Sequence, residues 1–146
     1  MYIVSSCLAG INCRYDGKNH LNKDILDLVN KGEAIPLCPE MLGGLETPRV
    51  PCEIIGKDEF KKVINKNGLD LTKEFLNGAN KVLEVCKTLN VDKVILKSKS
   101  PSCGCGEIYD GTFSGNLIKG NGLTADLLIK NNIKVYNEKN FKNILD

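Results

Sequence analysis

The sequence predicts an α/β chain, a three-layer, Rossmann-like fold with a mostly parallel central sheet. Short β-prone runs alternate with helical patterns along the chain, and the longest helical pattern leads directly into another short apolar run. Nothing interrupts that alternation. No internal repeat, low-complexity tract or Pro/Ser-rich linker is present, so one domain over residues 1–146 is expected.

Tyr2–Ser5 reads as the first strand. Residues 25–31 carry apolar side chains at 25, 26, 28 and 29, one face of a helix that closes at Gly32. Ala34–Leu37 is the second strand. Residues 70–89 form the longest helix, with Leu71, Phe75, Leu76, Ala79, Val82, Leu83 and Cys86 spaced near the helical period. Residues 92–96 follow as a strand, 124–130 as a short helix capped by Thr124, and 133–136 as a last strand.

Apolar residues make up 42% of the chain and charged residues 26%, which excludes a disordered chain. No window reaches the roughly eighteen consecutive apolar residues of a spanning helix, so no membrane partner is expected. The start, Met1 to Gly10, lacks the basic flank and long apolar run of a signal peptide, and a cytoplasmic protein is expected. A net charge of +2 with no block of Lys or Arg gives no strong nucleic-acid signal. Nothing in the sequence bears on oligomeric state.

Seven cysteines is a high and odd number, so they cannot all pair as intramolecular disulfides. In a reducing compartment such residues are more often metal ligands or reactive thiols. Cys7, Cys38 and Cys103 each lie beyond the C-terminal end of a predicted strand, where an open parallel sheet gathers its ligand-binding loops. Three thiolates meeting there suit a metal or an iron–sulfur cluster, and three ligands leave one iron open as a Lewis acid. Cys86, on the apolar face of a helix, reads as a core side chain. Cys13, Cys52 and Cys105 are intermediate cases.

Glu40 lies two residues from Cys38 and has two readings, a general acid or base and a capping or salt-bridged loop carboxylate. The run Lys97-Ser-Lys-Ser-Pro-Ser-Cys-Gly surrounds Cys103 with hydroxyls and two cations. Lys97, Ser98 and Ser102 are candidate substrate contacts there, although Ser-rich turns are commonly structural. Lys119-Gly-Asn-Gly-Leu-Thr124 opens a helix in a manner that suits phosphate. His20 is the single histidine and reads as a surface residue, so a zinc site with histidine or a Cys/His dyad finds little support.

Four motifs are shared with a known group: Cys7-Leu-Ala-Gly with Arg14-Tyr-Asp-Gly17, Cys38-Pro-Glu-Met-Leu-Gly-Gly-Leu-Glu-Thr-Pro-Arg49, Lys97-Ser-Lys-Ser-Pro-Ser-Cys103-Gly, and Tyr109-Asp-Gly-Thr-Phe-Ser-Gly115. In that order they closely resemble the TudS-like thiouracil desulfurase family, with similarity running from Tyr2 to about Val135. The resemblance implies a 4Fe-4S cluster bound by three cysteines, matched by Cys7, Cys38 and Cys103, with the fourth iron free for the substrate sulfur. It implies a non-redox reaction in which water replaces the thiocarbonyl sulfur, which leaves as sulfide. An acidic residue and a serine assist, and the matching positions are Glu40 and Ser100, with Ser98 and Ser102 close enough to compete with Ser100. The implied substrate is a small thiolated pyrimidine, thiouracil or a 4-thiouridine nucleotide. A zinc- or cluster-containing binding or regulatory module without desulfurase activity is the alternative; a thiol redox protein is disfavoured because no Cys-x-x-Cys occurs.

Overall fold

A computed structural model describes residues 1–144. In chain order it holds β1 (Tyr2–Ser5), α1 (Lys23–Asn30), β2 (Ala34–Leu37), α2 (Pro39–Leu42), β3 (Cys52–Ile55), β4 (Lys62–Asn65) and α3 (Thr72–Leu89). β5 (Lys93–Leu96), β6 (Glu107–Tyr109), β7 (Leu117–Lys119), α4 (Leu123–Lys130) and β8 (Lys134–Asn137) complete it. The central sheet is parallel throughout, in the order β2-β1-β5-β8.

Alternation along the inner strands sorts the core into two layers. Ile3, Val94 and Leu96 pack with Val82, Leu83 and Cys86 of α3 and Ala125 and Leu128 of α4. Val4 and Ile95, on the opposite face, pack with Ile25 and Leu28 of α1 and with Leu8 and Phe141. A parallel sheet covered on both faces makes the expected three layers. Among the described residues no helix is long and apolar enough to cross a membrane.

The helix ends differ from the sequence expectation for local reasons. α1 begins before residue 25 because the Asn22 side chain accepts hydrogen bonds from the N–H groups of Asp24 (3.1 Å) and Ile25 (3.2 Å). α3 begins at Thr72, whose N–H and hydroxyl both donate to the Asp70 carboxylate. Thr124 does not cap α4. The cap position is Gly122, and the Thr124 hydroxyl lies 2.7 Å from that of Ser102, both residues being wholly buried.

Two antiparallel hairpins, β3–β4 and β6–β7, lie outside the main sheet and have no counterpart in the sequence expectation. Their strands are only three or four residues long and mix charged with apolar side chains, which blurs the strand period. Ile54, Val63, Phe75, Ile108 and Leu123 form a third small core beneath them.

The one-turn helix α2 also has no counterpart in the sequence expectation, because its place is set by packing. Gly43, just after α2, lies against α3 so closely that a Cβ there would fall 2.0 Å from the Glu74 carbonyl oxygen, and a Cβ on Gly78 would fall 1.9 Å from that of Pro39. Lys81 Nζ adds a hydrogen bond to the Leu42 carbonyl at 2.9 Å. Only glycine at both positions permits this contact. Gly78→Ala should therefore push α2 off α3 and lower the unfolding free energy by about 1–3 kcal/mol, the usual cost of overpacking, as read in urea titrations.

Candidate functional site

β1 is the strand at which the sheet's connections change direction, with β2 on one side and β5 then β8 on the other. Loops leaving the C-terminal ends of such neighbours diverge and open a crevice. A cavity of about 560 Å³ lies there, and Cys7, Cys38 and Cys103 all line it, as do Glu40, Ser100, Lys97 and Ser98.

Each cysteine is placed by a different local device. Cys7 sits in a single 3-10 turn, Ser6–Ala9, directly after β1, closed by Gly10 at φ 89°. Cys38 is the extended residue that enters α2, with Pro39 in the first turn. Cys103 is held in a tight turn whose centre is Ser100: the Ser100 hydroxyl oxygen accepts the N–H groups of Ser102 (3.1 Å) and Cys103 (3.0 Å). The Ser5 hydroxyl donates to Cys103 Sγ at 3.3 Å and accepts the Lys97 N–H at 2.9 Å.

Cys13 joins them, buried, with its thiol against those of Cys7 and Cys38. The Cys38 thiol also points to the Cys13 carbonyl at 4.0 Å. Contact with Cys13, then burial, raises the Cys38 thiol well above its ordinary value. Burial pushes Cys103 up to about 12, opposed by the Ser5 hydrogen bond. The Cys38 contact favours ionisation of Cys13, but its contact with Cys7 and burial prevail and push it up to about 11. At neutral pH the thiols of Cys13, Cys38 and Cys103 are therefore protonated. Among the described residues no three His, Cys, Asp or Glu side chains close around a point as single-ion ligands do; the sulfurs line a wall of the cavity instead. A wall of soft donors, with a hydroxyl already bonded to one sulfur, fits a thiolate-held iron–sulfur cluster.

Glu40, in the first turn of α2, pairs through Oε2 with Arg49 at 2.8 Å. Arg49 is itself fixed, donating to the carbonyls of Cys13 (3.0 Å) and Glu46 (2.9 Å) and to the Thr47 hydroxyl (3.1 Å). Glu40 Oε1 has no hydrogen-bond donor among the described residues and belongs to a side chain that is 19% exposed on the cavity. Salt-bridged and cavity-lining thus describe one and the same carboxylate.

The serines separate clearly. Ser98 Oγ donates to Glu138 at 2.9 Å, its N–H does the same, and Lys97 Nζ lies 3.0 Å from that carboxylate. Burial of Glu138 is outweighed by these contacts, which hold its carboxyl below the usual range. Ser100 uses its oxygen on the turn, and its own proton remains free for a cavity ligand. Ser102 faces away, paired with Thr124 in the core.

The glycine-rich turn before α4 does not hold phosphate. The N–H groups at that helix start are taken by the cysteine loop: Leu123 donates to Pro101 O (2.9 Å), and Thr124 (2.9 Å) and Ala125 (3.2 Å) donate to Ser102 O. The cations facing the cavity come from elsewhere. Lys66 and Lys99 line it and form no ion pair among the described residues. His20, exposed as expected, contributes to the rim, while Cys86 lies in the core on the buried face of α3.

Ser5, Arg49 and Glu138 join the site without a sequence motif that marks them individually. Ser5 ends β1 and Glu138 follows β8, so the strand-end rule that picks out the cysteines applies to them too. Arg49 needed the fold, since nothing local ties it to Glu40.

Residues 2–140 match the model of the family described as 2-thiouracil desulfurase. The chain is 46% identical over 151 aligned positions to the uncharacterized protein YbbK of Bacillus subtilis (strain 168), covering 99% of this chain and 100% of that protein. It is also similar to the solved structure of the 4Fe-4S-dependent thiouracil desulfidase TudS, at 40% identity and a TM-score of 0.89, over 97% of this chain and 93% of that one. With its α/β architecture, its sulfur-lined crevice and a match over nearly its whole length, the chain belongs to the 2-thiouracil desulfurase family.

Proposed function

We propose that this chain is a 4Fe-4S-dependent desulfidase that converts thiolated pyrimidines to the oxo-pyrimidine and sulfide. The observation that carries this reading is the convergence of Cys7, Cys38 and Cys103 on one cavity with Glu40 beside them. Those three cysteines are the proposed ligands. When bound, the cluster supplies an iron with an open position, a Lewis acid toward a thiocarbonyl sulfur.

The protein's own groups supply the rest. Ser5 hydrogen-bonds the Cys103 sulfur, which lowers the electron density that sulfur presents. Glu40, anchored by Arg49 through one oxygen, has its other oxygen available to take a proton from the attacking water. Ser100 offers its hydroxyl hydrogen to the substrate while its oxygen holds the Cys103 turn. Lys97 and Ser98, braced by Glu138, line the wall beside it, whereas Ser102 supports the loop from the core.

The finer reading is that the substrate is a nucleotide, 4-thiouridine monophosphate. Lys66 and Lys99 provide positive charge in the cavity that no acidic side chain among the described residues neutralises, and a phosphate would. The expectation is higher kcat/KM for 4-thiouridine monophosphate than for 4-thiouracil, with the difference lost in Lys66→Ala/Lys99→Ala; equal values in the parent protein would refute it.

Protein isolated without oxygen should show the broad visible absorption of an iron–sulfur cluster with about four irons and four sulfides per chain. Cys38→Ala should lack both, and Cys86→Ala should keep both; a full cluster in Cys38→Ala would show the ligand set to be wrong. Glu40→Gln should keep the cluster absorption yet slow uracil formation roughly 10²–10⁴-fold, the effect of a lost general base. Near-normal turnover in that variant would leave Glu40 as an anchor for Arg49 alone.

A further inference from the structure

We propose that Phe113 is the platform on which the planar ring of the substrate stacks, and that Glu53 holds it in that pose. The ring's identity as a pyrimidine rests on the desulfidase reading above. Phe113 lies in the loop between β6 and β7 and lines the cavity, as does Glu53 on β3.

The backbone of Phe113 has φ 57°, in the left-handed region. A bulky side chain rarely occupies that region, and where it does the surroundings must hold it there. They do so here at several points. One carboxylate oxygen of Glu53 accepts both the Gly111 N–H (2.9 Å) and the Phe113 N–H (3.2 Å). Asp110 donates its N–H to the Asn116 carbonyl at 3.0 Å and accepts the Thr112 N–H at 2.9 Å. Gly111, at φ 92°, is pressed against β3, where a Cβ would lie 2.7 Å from Ile55 Cγ2 and 2.8 Å from the Ile54 carbonyl oxygen. A loop fastened this firmly presents an aromatic side chain in a fixed place.

The two tyrosines on the cavity are less suited. Tyr15 is 42% exposed, and the Arg14 guanidinium lies over its ring at 5.5 Å. Tyr109 is a strand residue, paired with Leu117. Phe113 has neither tie. A neutral aromatic face also suits the chemistry, because water must approach the thiocarbonyl carbon perpendicular to the ring plane. Stacking covers one face and leaves the other for that approach.

The test uses the cluster-loaded protein and two probes, thiouracil for turnover and uracil, which lacks the sulfur, for binding by calorimetry. Phe113→Ala should raise KM for thiouracil and Kd for uracil about tenfold, as for a lost base-stacking partner, with kcat changed little and the cluster absorption intact. Phe113→Leu keeps the apolar bulk that packs the loop and should lose as much, while Phe113→Tyr should restore both constants. Glu53→Ala should follow Phe113→Ala, and Glu53→Gln, which retains an acceptor oxygen, should return KM toward that of the parent. Unchanged KM and Kd in Phe113→Ala and Phe113→Leu would overturn the stacking role and leave the desulfidase reading standing. Uracil binding that depends on Phe113, in a protein that turns over no thiouracil, would overturn the desulfidase reading and leave the platform standing. A parent protein that neither binds uracil nor turns over thiouracil would overturn both.

Discussion

The parallel pairing of β1 with β5 places two chain segments nearly a hundred residues apart side by side, and the hydroxyl of Ser5 joins their ends. That hydroxyl accepts the Lys97 N–H as β5 gives way to the cysteine loop, and it donates to Cys103 Sγ. A group that both accepts and donates uses its hydrogen-bonding capacity where an apolar core would penalise an unpaired one. The loop beyond it is then held from three directions: by Ser100 within the turn, by Glu138 from the end of β8, and by the first N–H groups of α4. Cys7 needs only the single turn after β1 to reach the same crevice. Cys38 depends on α2 being seated on α3, which the two glycines allow.

The main sheet was legible because each inner strand is buried on both faces and reads as an apolar run, and because α3 carries its stripe over eighteen residues. Its crevice was legible for the same reason, since knowing where strands end tells where loops gather. The hairpins were not legible. Strands such as Leu117–Lys119, exposed at all three residues, owe their shape to pairing partners, not to any pattern of their own. α2 was hidden because four residues carry no period, and its seat depends on Gly78 in a helix far along the chain.

The turn before α4 shows a different limit. Gly, Asn and Gly ahead of a helix announce unpaired N–H groups, and phosphate is one ligand for them. The protein's own carbonyls at Pro101 and Ser102 are another, and a sequence motif does not distinguish the two. Ser102 illustrates the same point from the other side. Its neighbour Cys103 faces the cavity, yet Ser102 lies in the core against Thr124, because successive residues of a tight turn point in different directions.

The two walls of the crevice are thus built on different principles. The sulfur wall is continuous with the parallel sheet and its helices, so a change there propagates into the main core. The opposing wall comes from short hairpins resting on a small separate core and anchored to it through a few contacts such as those of Glu53. Insertions at the exposed tip between β6 and β7 would leave the sheet's register untouched. Selectivity can therefore be redesigned by rebuilding the hairpins as a replaceable cover over an untouched bed of sulfur.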